Sequence, residues 1–106
     1  MKETLISFCI VNLNAKRHLI SCLKSISMFT KCGSFEIIVV DNNSNDGSIE
    51  FMRYQYPEVK LIINLRNDGY TKAINKALRL SKGKYKVVLN PDTELMPNAI
   101  DIMINH

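Results

Sequence analysis

The apolar positions along this chain change period several times, and each change marks a boundary between elements. Leu5 to Val11 is a near-continuous apolar run, as expected for a parallel strand covered on both faces. Leu19, Ile20, Leu23, Ile26 and Met28 then recur at roughly helical spacing, which predicts a helix over 15–30 capped by Asn14 and broken at Gly33. Phe35 to Val40 reads as a second buried strand. The polar stretch Asp41 to Ser48 cannot continue it and predicts a loop, with Asp46 or Ser48 capping a helix from about Ser48 to Tyr56 that stops at Pro57. Val59 to Ile63 is a third strand, and Asn64 to Gly69 a second polar loop. Ala73, Ile74, Ala77, Leu78 and Leu80 predict a helix over 70–81, ended by Gly83. Tyr85 to Leu89 is a fourth strand, Asn90 to Thr93 a turn, and a last helix is expected after Pro97.

Strictly alternating strands and helices imply an α/β fold with a doubly wound, mainly parallel sheet and right-handed crossovers. In such sheets ligands bind beyond the carboxyl ends of the strands, at the switch point in strand order. The polar loops here follow strands two, three and four. Asp41, Asn67 and Asp92 are therefore expected on one rim, although any α/β protein carries polar loops there.

The 106 residues suit one domain and carry no repeat or low-complexity tract. No apolar run reaches the ~20 residues of a membrane span, and the N-terminal residues show no signal-peptide pattern. Cys9, Cys22 and Cys32 lack metal-site spacing, which points to free thiols and a cytoplasmic setting. The net charge of +4 admits nucleic acid, anionic lipid headgroups or a phosphorylated small molecule as partners. The densest basic stretch, Lys72 to Lys86, has no interleaved stacking aromatics, which argues against nucleic acid. It reads first as a solvated helix face and second as a weak, peripheral membrane-surface contact.

Three constellations carry candidate chemistry. Asp41 at a strand end can accept hydrogen bonds from a nucleobase, with Asn43 and Ser44 beside it. Asn67-Asp68-Gly69-Tyr70 places a glycine before a helix N-terminus, where backbone can approach a phosphate. Asn90-Pro91-Asp92 puts a carboxylate just past a strand, where it can hold Mg²⁺ or Mn²⁺ against a diphosphate. Each alone is better read as a loop, a cap or a turn.

Taken in order, the motifs resemble family 2 glycosyltransferases of the GT-A fold, and bacterial rhamnosyltransferase-type enzymes in particular. The matching runs are Ile10-Val11-Asn12-Leu13-Asn14, Val40 to Ser48, Asn67 to Leu78 and Ser81 to Leu95. The resemblance implies inverting transfer from a nucleotide-diphosphate sugar, dTDP-rhamnose or a UDP-sugar, to a saccharide or glycoconjugate acceptor. It implies that Asp41 binds the base, that Val11, Asn12 and Asn14 help cradle it, and that Asn67, Gly69 and Tyr70 lie along the ribose and diphosphate. Asn90 and Asp92 then occupy the family's DxD position, with Asp92 as metal ligand. Two departures stand out: Leu13 replaces an aromatic residue common in relatives, and Asn90 replaces the first acidic residue.

The family places its general base in a further half of the domain, and Asp46, Asp68 and Glu94 match no base position. Residues 1–106 are thus expected to form the nucleotide-sugar-binding half, apparently truncated at the C-terminus, with no transfer activity alone and with self-association through the helix after Pro97. The competing reading is a non-catalytic nucleotide-binding or interaction domain derived from such an enzyme. A flavodoxin-like signalling domain would need acidic residues where this chain has Asn12 and Asn14.

Overall fold

The computed structural model describes residues 3–30 and 34–96. The elements run β1 (Ile6–Asn12), α1 (Lys16–Phe29), β2 (Phe35–Asp41), α2 (Ser48–Gln55), β3 (Lys60–Ile63), α3 (Tyr70–Leu80) and β4 (Tyr85–Leu89). All pairings are parallel and the strand order is β3-β2-β1-β4. The chain winds outward from β1 to β3 and then crosses back to β4, so the switch point lies between β1 and β4. This is the α/β doubly wound sheet that the alternation of elements implies.

Strand periodicity divides the core in two. Ile6, Phe8 and Ile10 of β1 join Ile37 and Val39 of β2 on one face, against Leu19, Cys22, Leu23 and Ile26 of α1 and Met52 of α2. Cys9, Val11, Ile38 and Val40 take the other face, against Ala73, Ile74 and Ala77 of α3. Both faces of β1 and β2 are covered, which is why their sequences read as unbroken apolar runs. The edge strands β3 and β4 are more open, with Val88 44% exposed.

Several local expectations need correction. Asn14 does not cap α1: its φ is +50°, Ala15 holds the cap position, and no side chain caps from there. The N–H of Lys16 instead donates to Asp46 Oδ2 at 3.0 Å, so the cap comes from the β2–α2 loop. Met28 is 60% exposed, and Cys22 takes the core position on α1. Helix α3 ends at Leu80, with Ser81 Oγ donating to Leu78 O, so Gly83 does not terminate it. Gly83 is needed for close approach: a Cβ there would lie 2.6 Å from Ser7 N and 2.8 Å from Ile6 C on β1.

At the opposite end from the polar loops, Glu36 ties together the starts of the strands. Its carboxylate accepts from Ser7 Oγ on β1, Lys60 Nζ on β3 (2.8 Å) and the Lys82 N–H before β4 (2.7 Å). Cys9 and Cys22 are buried and unbridged, and among the described residues no helix is long and apolar enough to cross a membrane. Gly33, Cys32 and the helix expected after Pro97, with the self-association attached to it, lie outside the described residues.

Candidate functional site

The register sets the site. Asn12 stands opposite Asp41, Asp41 opposite Ile63, and Ile10 opposite Leu89, so the carboxyl ends of all four strands meet one rim. Asp41 ends β2, Asn67 and Asp92 follow β3 and β4, and all three share that rim.

The first two loops form one hydrogen-bonded unit. Asp41 is 1% exposed; its Oδ1 accepts from Asn12 Nδ2 at 2.8 Å and Ser44 Oγ at 2.8 Å, and its Oδ2 from the Ser44 N–H at 2.7 Å. Ser44 Oγ in turn accepts from the Asn14 N–H at 2.9 Å, and Asn14 Oδ1 accepts from the Asn45 N–H at 2.8 Å. The left-handed backbone at Asn14 and Asn43 (φ +50° and +72°) lets the loops turn back on one another, and asparagine tolerates it better than most residues. Asn12 Oδ1 is buried and has no hydrogen-bond partner among the described residues.

Asp46 completes this unit. Its Oδ1 accepts from the N–H and Oγ of Ser48, and its Oδ2 from the Lys16 N–H, so one carboxylate serves the N-termini of α1 and α2. Desolvation pushes its pKa up, but hydrogen bonds from Ser48 and the Lys16 backbone outweigh it and hold the carboxyl below its usual range. A carboxylate committed to two helix ends is poorly placed to take a proton from an acceptor.

The β3–α3 loop closes the opposite side. Asn67 Oδ1 accepts from the Gly69 N–H at 2.9 Å, and Gly69 has φ +83° and ψ 168°, a region open in practice to glycine alone. Tyr70 opens α3 and is 47% exposed. Asp68 pairs with the Arg66 guanidinium at 3.0 Å. Val11, Leu13, Ala15, Asn42, Asn67, Gly69, Tyr70 and Pro91 line a cleft of about 330 Å³ where the four loops meet. None of these side chains is charged, and α3 carries no acidic residue in its first turn. Tyr70 sets the N-terminus of α3 at this cleft, and helix N-termini favour anions.

Beyond β4, the Thr93 N–H donates to Asn90 O at 2.9 Å, closing the turn that carries Asp92. Leu95 anchors it: its side chain is buried and its N–H donates to Ser25 Oγ on α1 at 3.0 Å. Asn90 and Asp92 are both exposed. Among the described residues no three His, Cys, Asp or Glu side chains gather to hold a metal. A lone carboxylate still fits Mg²⁺ or Mn²⁺ that takes its other ligands from phosphate and water.

Val11, Asn67, Gly69 and Tyr70 thus line one cleft, with Asn12, Asp41 and Ser44 bonded to one another at the same rim. Asn14 instead borders a depression of about 460 Å³ with Lys16, Arg17, His18 and Asp46. Asn43 is exposed, whereas the adjacent Asn42, a possible donor in the sequence but not among the expected site residues, is 2% exposed and lines the cleft. Asn64 was missed too; it is 3% exposed and bonded to Asn42. The only signal for either was an asparagine directly after a strand, which a plain turn supplies as well.

This arrangement is that of a doubly wound α/β domain with a polar ligand rim at its switch point. The chain belongs to glycosyl transferase family 2, whose model matches residues 7–106. A PGL/p-HBAD biosynthesis glycosyltransferase of Mycobacterium bovis is 33% identical over 98 residues, covering 90% of this chain and 38% of that protein. The uncharacterized glycosyltransferase YibD of Escherichia coli is 29% identical over 87 residues, covering 79% of this chain and 25% of the relative. The chain thus spans well under half the length of these relatives. Among solved structures, S. aureus TarS 1–349 superposes with a TM-score of 0.85 at 19% identity, over 96% of this chain and 32% of that one. The mannosyltransferase of Pyrobaculum calidifontis, solved with GDP-Man and Mn²⁺, superposes with a TM-score of 0.78 at 20% identity, over 94% of this chain and 31% of that one. At these identities the likeness establishes a shared fold.

Proposed function

We propose that this chain forms the donor-binding half of an inverting glycosyltransferase, holding a nucleotide-diphosphate sugar for transfer to a saccharide or glycoconjugate acceptor. The observation that carries the reading is the convergence of four loops on one uncharged cleft at the switch point, next to the N-terminus of α3. Leu13 and Tyr70, 42% and 47% exposed, offer apolar and aromatic surface to a base and ribose. Asn67 and Gly69 bring backbone close to where a diphosphate would lie. Asp41, Asn12 and Ser44 shape the base end, with Asp41 acting on the base through acceptor capacity not used by the loop. TarS solved with UDP-GlcNAc and the mannosyltransferase solved with GDP-Man support a sugar nucleotide as ligand class. The sequence motifs favour dTDP-rhamnose first and a UDP-sugar second.

Because no cation lines the cleft, a diphosphate there needs a counter-charge. Asp92 is the residue that would hold Mg²⁺ or Mn²⁺, with Asn90 as a neutral neighbour. When bound, such an ion stabilises the negative charge on a leaving diphosphate. Asp46 is committed to two helix termini and Asp68 to Arg66, so we assign the general base to neither. Buried free thiols at Cys9 and Cys22 suit a reducing, cytoplasmic setting. Lys72, Lys76 and Arg79, one or two helical turns apart on α3, suit weak contact with an anionic membrane face.

Titration calorimetry with UDP, dTDP and GDP, each with and without Mn²⁺, tests the reading. Metal-assisted binding of one diphosphate is the expected result. No binding of any of the three at millimolar concentration overturns it. Nucleotide binding without transfer, in a protein that includes every other domain of the relatives, would favour a non-catalytic binding domain.

A further inference from the structure

Asn42 lies directly after β2, and through it two loops of the rim are joined. Its N–H donates to Asn12 O at 2.9 Å, carrying the parallel ladder one step beyond Asp41. Its side-chain Oδ1 accepts from Asn64 Nδ2 at 2.7 Å and from the Asp68 N–H at 3.4 Å. Its Nδ2 donates to Gly69 O at 3.1 Å. Asn64 is held in turn by Lys76 Nζ, which donates to Asn64 Oδ1 at 2.7 Å, and by its own N–H, which donates to Asp41 O at 2.9 Å.

The chemistry of the partners determines both amide orientations. An ammonium only donates, so Asn64 turns its oxygen to Lys76 and its NH₂ to Asn42. A backbone N–H only donates and a carbonyl only accepts, so Asn42 turns its oxygen to Asp68 and its NH₂ to Gly69. Every bond in the relay Lys76–Asn64–Asn42–Gly69 therefore runs donor to acceptor in one direction, an arrangement in which neighbouring bonds polarise one another. Flipping either amide would set like groups against each other at both of its ends.

The relay ends on the residue with the least inherent order. Gly69 sits at φ +83°, ψ 168°, and glycine has more backbone freedom to lose than any other residue. Such a conformation persists when its surroundings over-determine it. Asn67 Oδ1 holds the Gly69 N–H and Asn42 Nδ2 holds its C=O, so the glycine is pinned on both sides. Asn67, Gly69 and Tyr70 all line the cleft.

We infer that Asn42 is a positioning residue for the nucleotide cleft: it holds the Asp68–Gly69 backbone, and with it Asn67 and Tyr70, at the spacing from Val11 and Pro91 that a nucleotide needs. The inference rests on the donor-binding reading above. Asparagine suits the task because it donates and accepts at once across the short gap between loops. Aspartate cannot donate when ionised, and serine is too short to reach both sides.

The test compares wild type with N42D, which keeps size and the acceptor but sets an oxygen against Gly69 O. Two readouts are taken: amide hydrogen exchange in the ligand-free chain, and calorimetric affinity for UDP, dTDP and GDP. In N42D, exchange at Asp68, Gly69 and Tyr70 should rise about tenfold or more while that at Phe8 to Val11 stays unchanged, and affinity for the diphosphate that wild type binds should fall by a similar factor. N42S, uncharged and shorter, should give the same pattern and serves if N42D does not fold. Wild-type exchange in the loop, exchange raised equally in β1, or a looser loop with unchanged affinity would each overturn the inference. If wild type binds none of the three, the donor-binding reading falls first; if wild type and both variants bind equally, only the role of Asn42 falls.

Discussion

Asn12 and Asp41 face one another across the β1–β2 register, and Asn12 Nδ2 donates to Asp41 Oδ1 at 2.8 Å. Both side chains are essentially fully buried. A buried carboxylate that takes three protein hydrogen bonds organises the rim before it meets any ligand. Asp41→Ala should leave the Ser44 N–H without its acceptor and Asn12 Nδ2 with only Ser44 Oγ, at 3.2 Å, and a buried donor left unsatisfied costs about 1–3 kcal/mol. Urea unfolding should show a loss of roughly 2–4 kcal/mol, and nucleotide affinity should fall with it. A loss under about 1 kcal/mol would mean that the loop does not depend on this carboxylate.

Two glycines should fail for different reasons. At Gly69 a Cβ would meet nothing within 4 Å, so Gly69→Ala is limited by its positive φ alone, at about 1–3 kcal/mol. At Gly83 the Cβ would collide with β1 backbone at 2.6 Å, so β4 must move away from β1. Gly83→Ala is expected to lower the thermal midpoint further than Gly69→Ala, whereas Gly69→Ala should weaken nucleotide binding more per unit of lost stability. Equal thermal losses would show that β4 accommodates the methyl group.

Glu36 should give the fold an acid-sensitive stability. Desolvation raises its pKa, but hydrogen bonds from Lys60, Ser7 and the Lys82 backbone win and bring it down from 4.5 to about 2. Since the folded value is depressed, the unfolded chain takes up the proton first as pH falls. The stabilisation is complete above about 4.5 and is lost as pH drops towards about 2. Denaturation series between those limits should slope downward in wild type. Glu36→Gln should be less stable at neutral pH and show less of that slope; an unchanged slope would assign the acid sensitivity to other carboxylates.

Element order was legible in the sequence because β1 and β2 are covered on both faces and α3 has one narrow apolar stripe. Tyr70 and Ser48 begin their helices where reading placed them. The errors came where a residue's partner is distant in sequence. Asn14 looked like a cap, but the cap of α1 is Asp46, thirty positions away, and no local pattern encodes that. Gly83 looked like a helix stop because the adjacent backbone of β1 is invisible from its neighbours. Asn42 and Asn43 are chemically identical in the sequence; only the register of β2 decides that the first is buried and the second exposed. The family motifs point to this rim, and the geometry divides its residues into those that line the cleft and those that hold the loops around it.

Asp92 offers the sharpest test of metal dependence. It is exposed on a turn anchored from below by Leu95 and Ser25, and it accepts no hydrogen bond from any described residue. Removing an exposed carboxylate with no such role should change stability by no more than about 0.5 kcal/mol. Asp92→Ala should therefore fold normally, so that any loss of binding reports on the site itself. The expected result is that Mn²⁺ no longer tightens nucleoside diphosphate binding, while metal-free affinity stays near the wild-type value. The neighbouring Asn90 allows the converse experiment. Asn90→Asp adds a second carboxylate to the same turn, and two anionic ligands attract a hard cation more strongly than one. That variant should reach half-maximal binding at several-fold lower Mn²⁺ than wild type. If Asp92→Ala keeps the full metal effect and Asn90→Asp adds nothing, the cation is held elsewhere and the Asn-Pro-Asp turn is a structural corner of the rim.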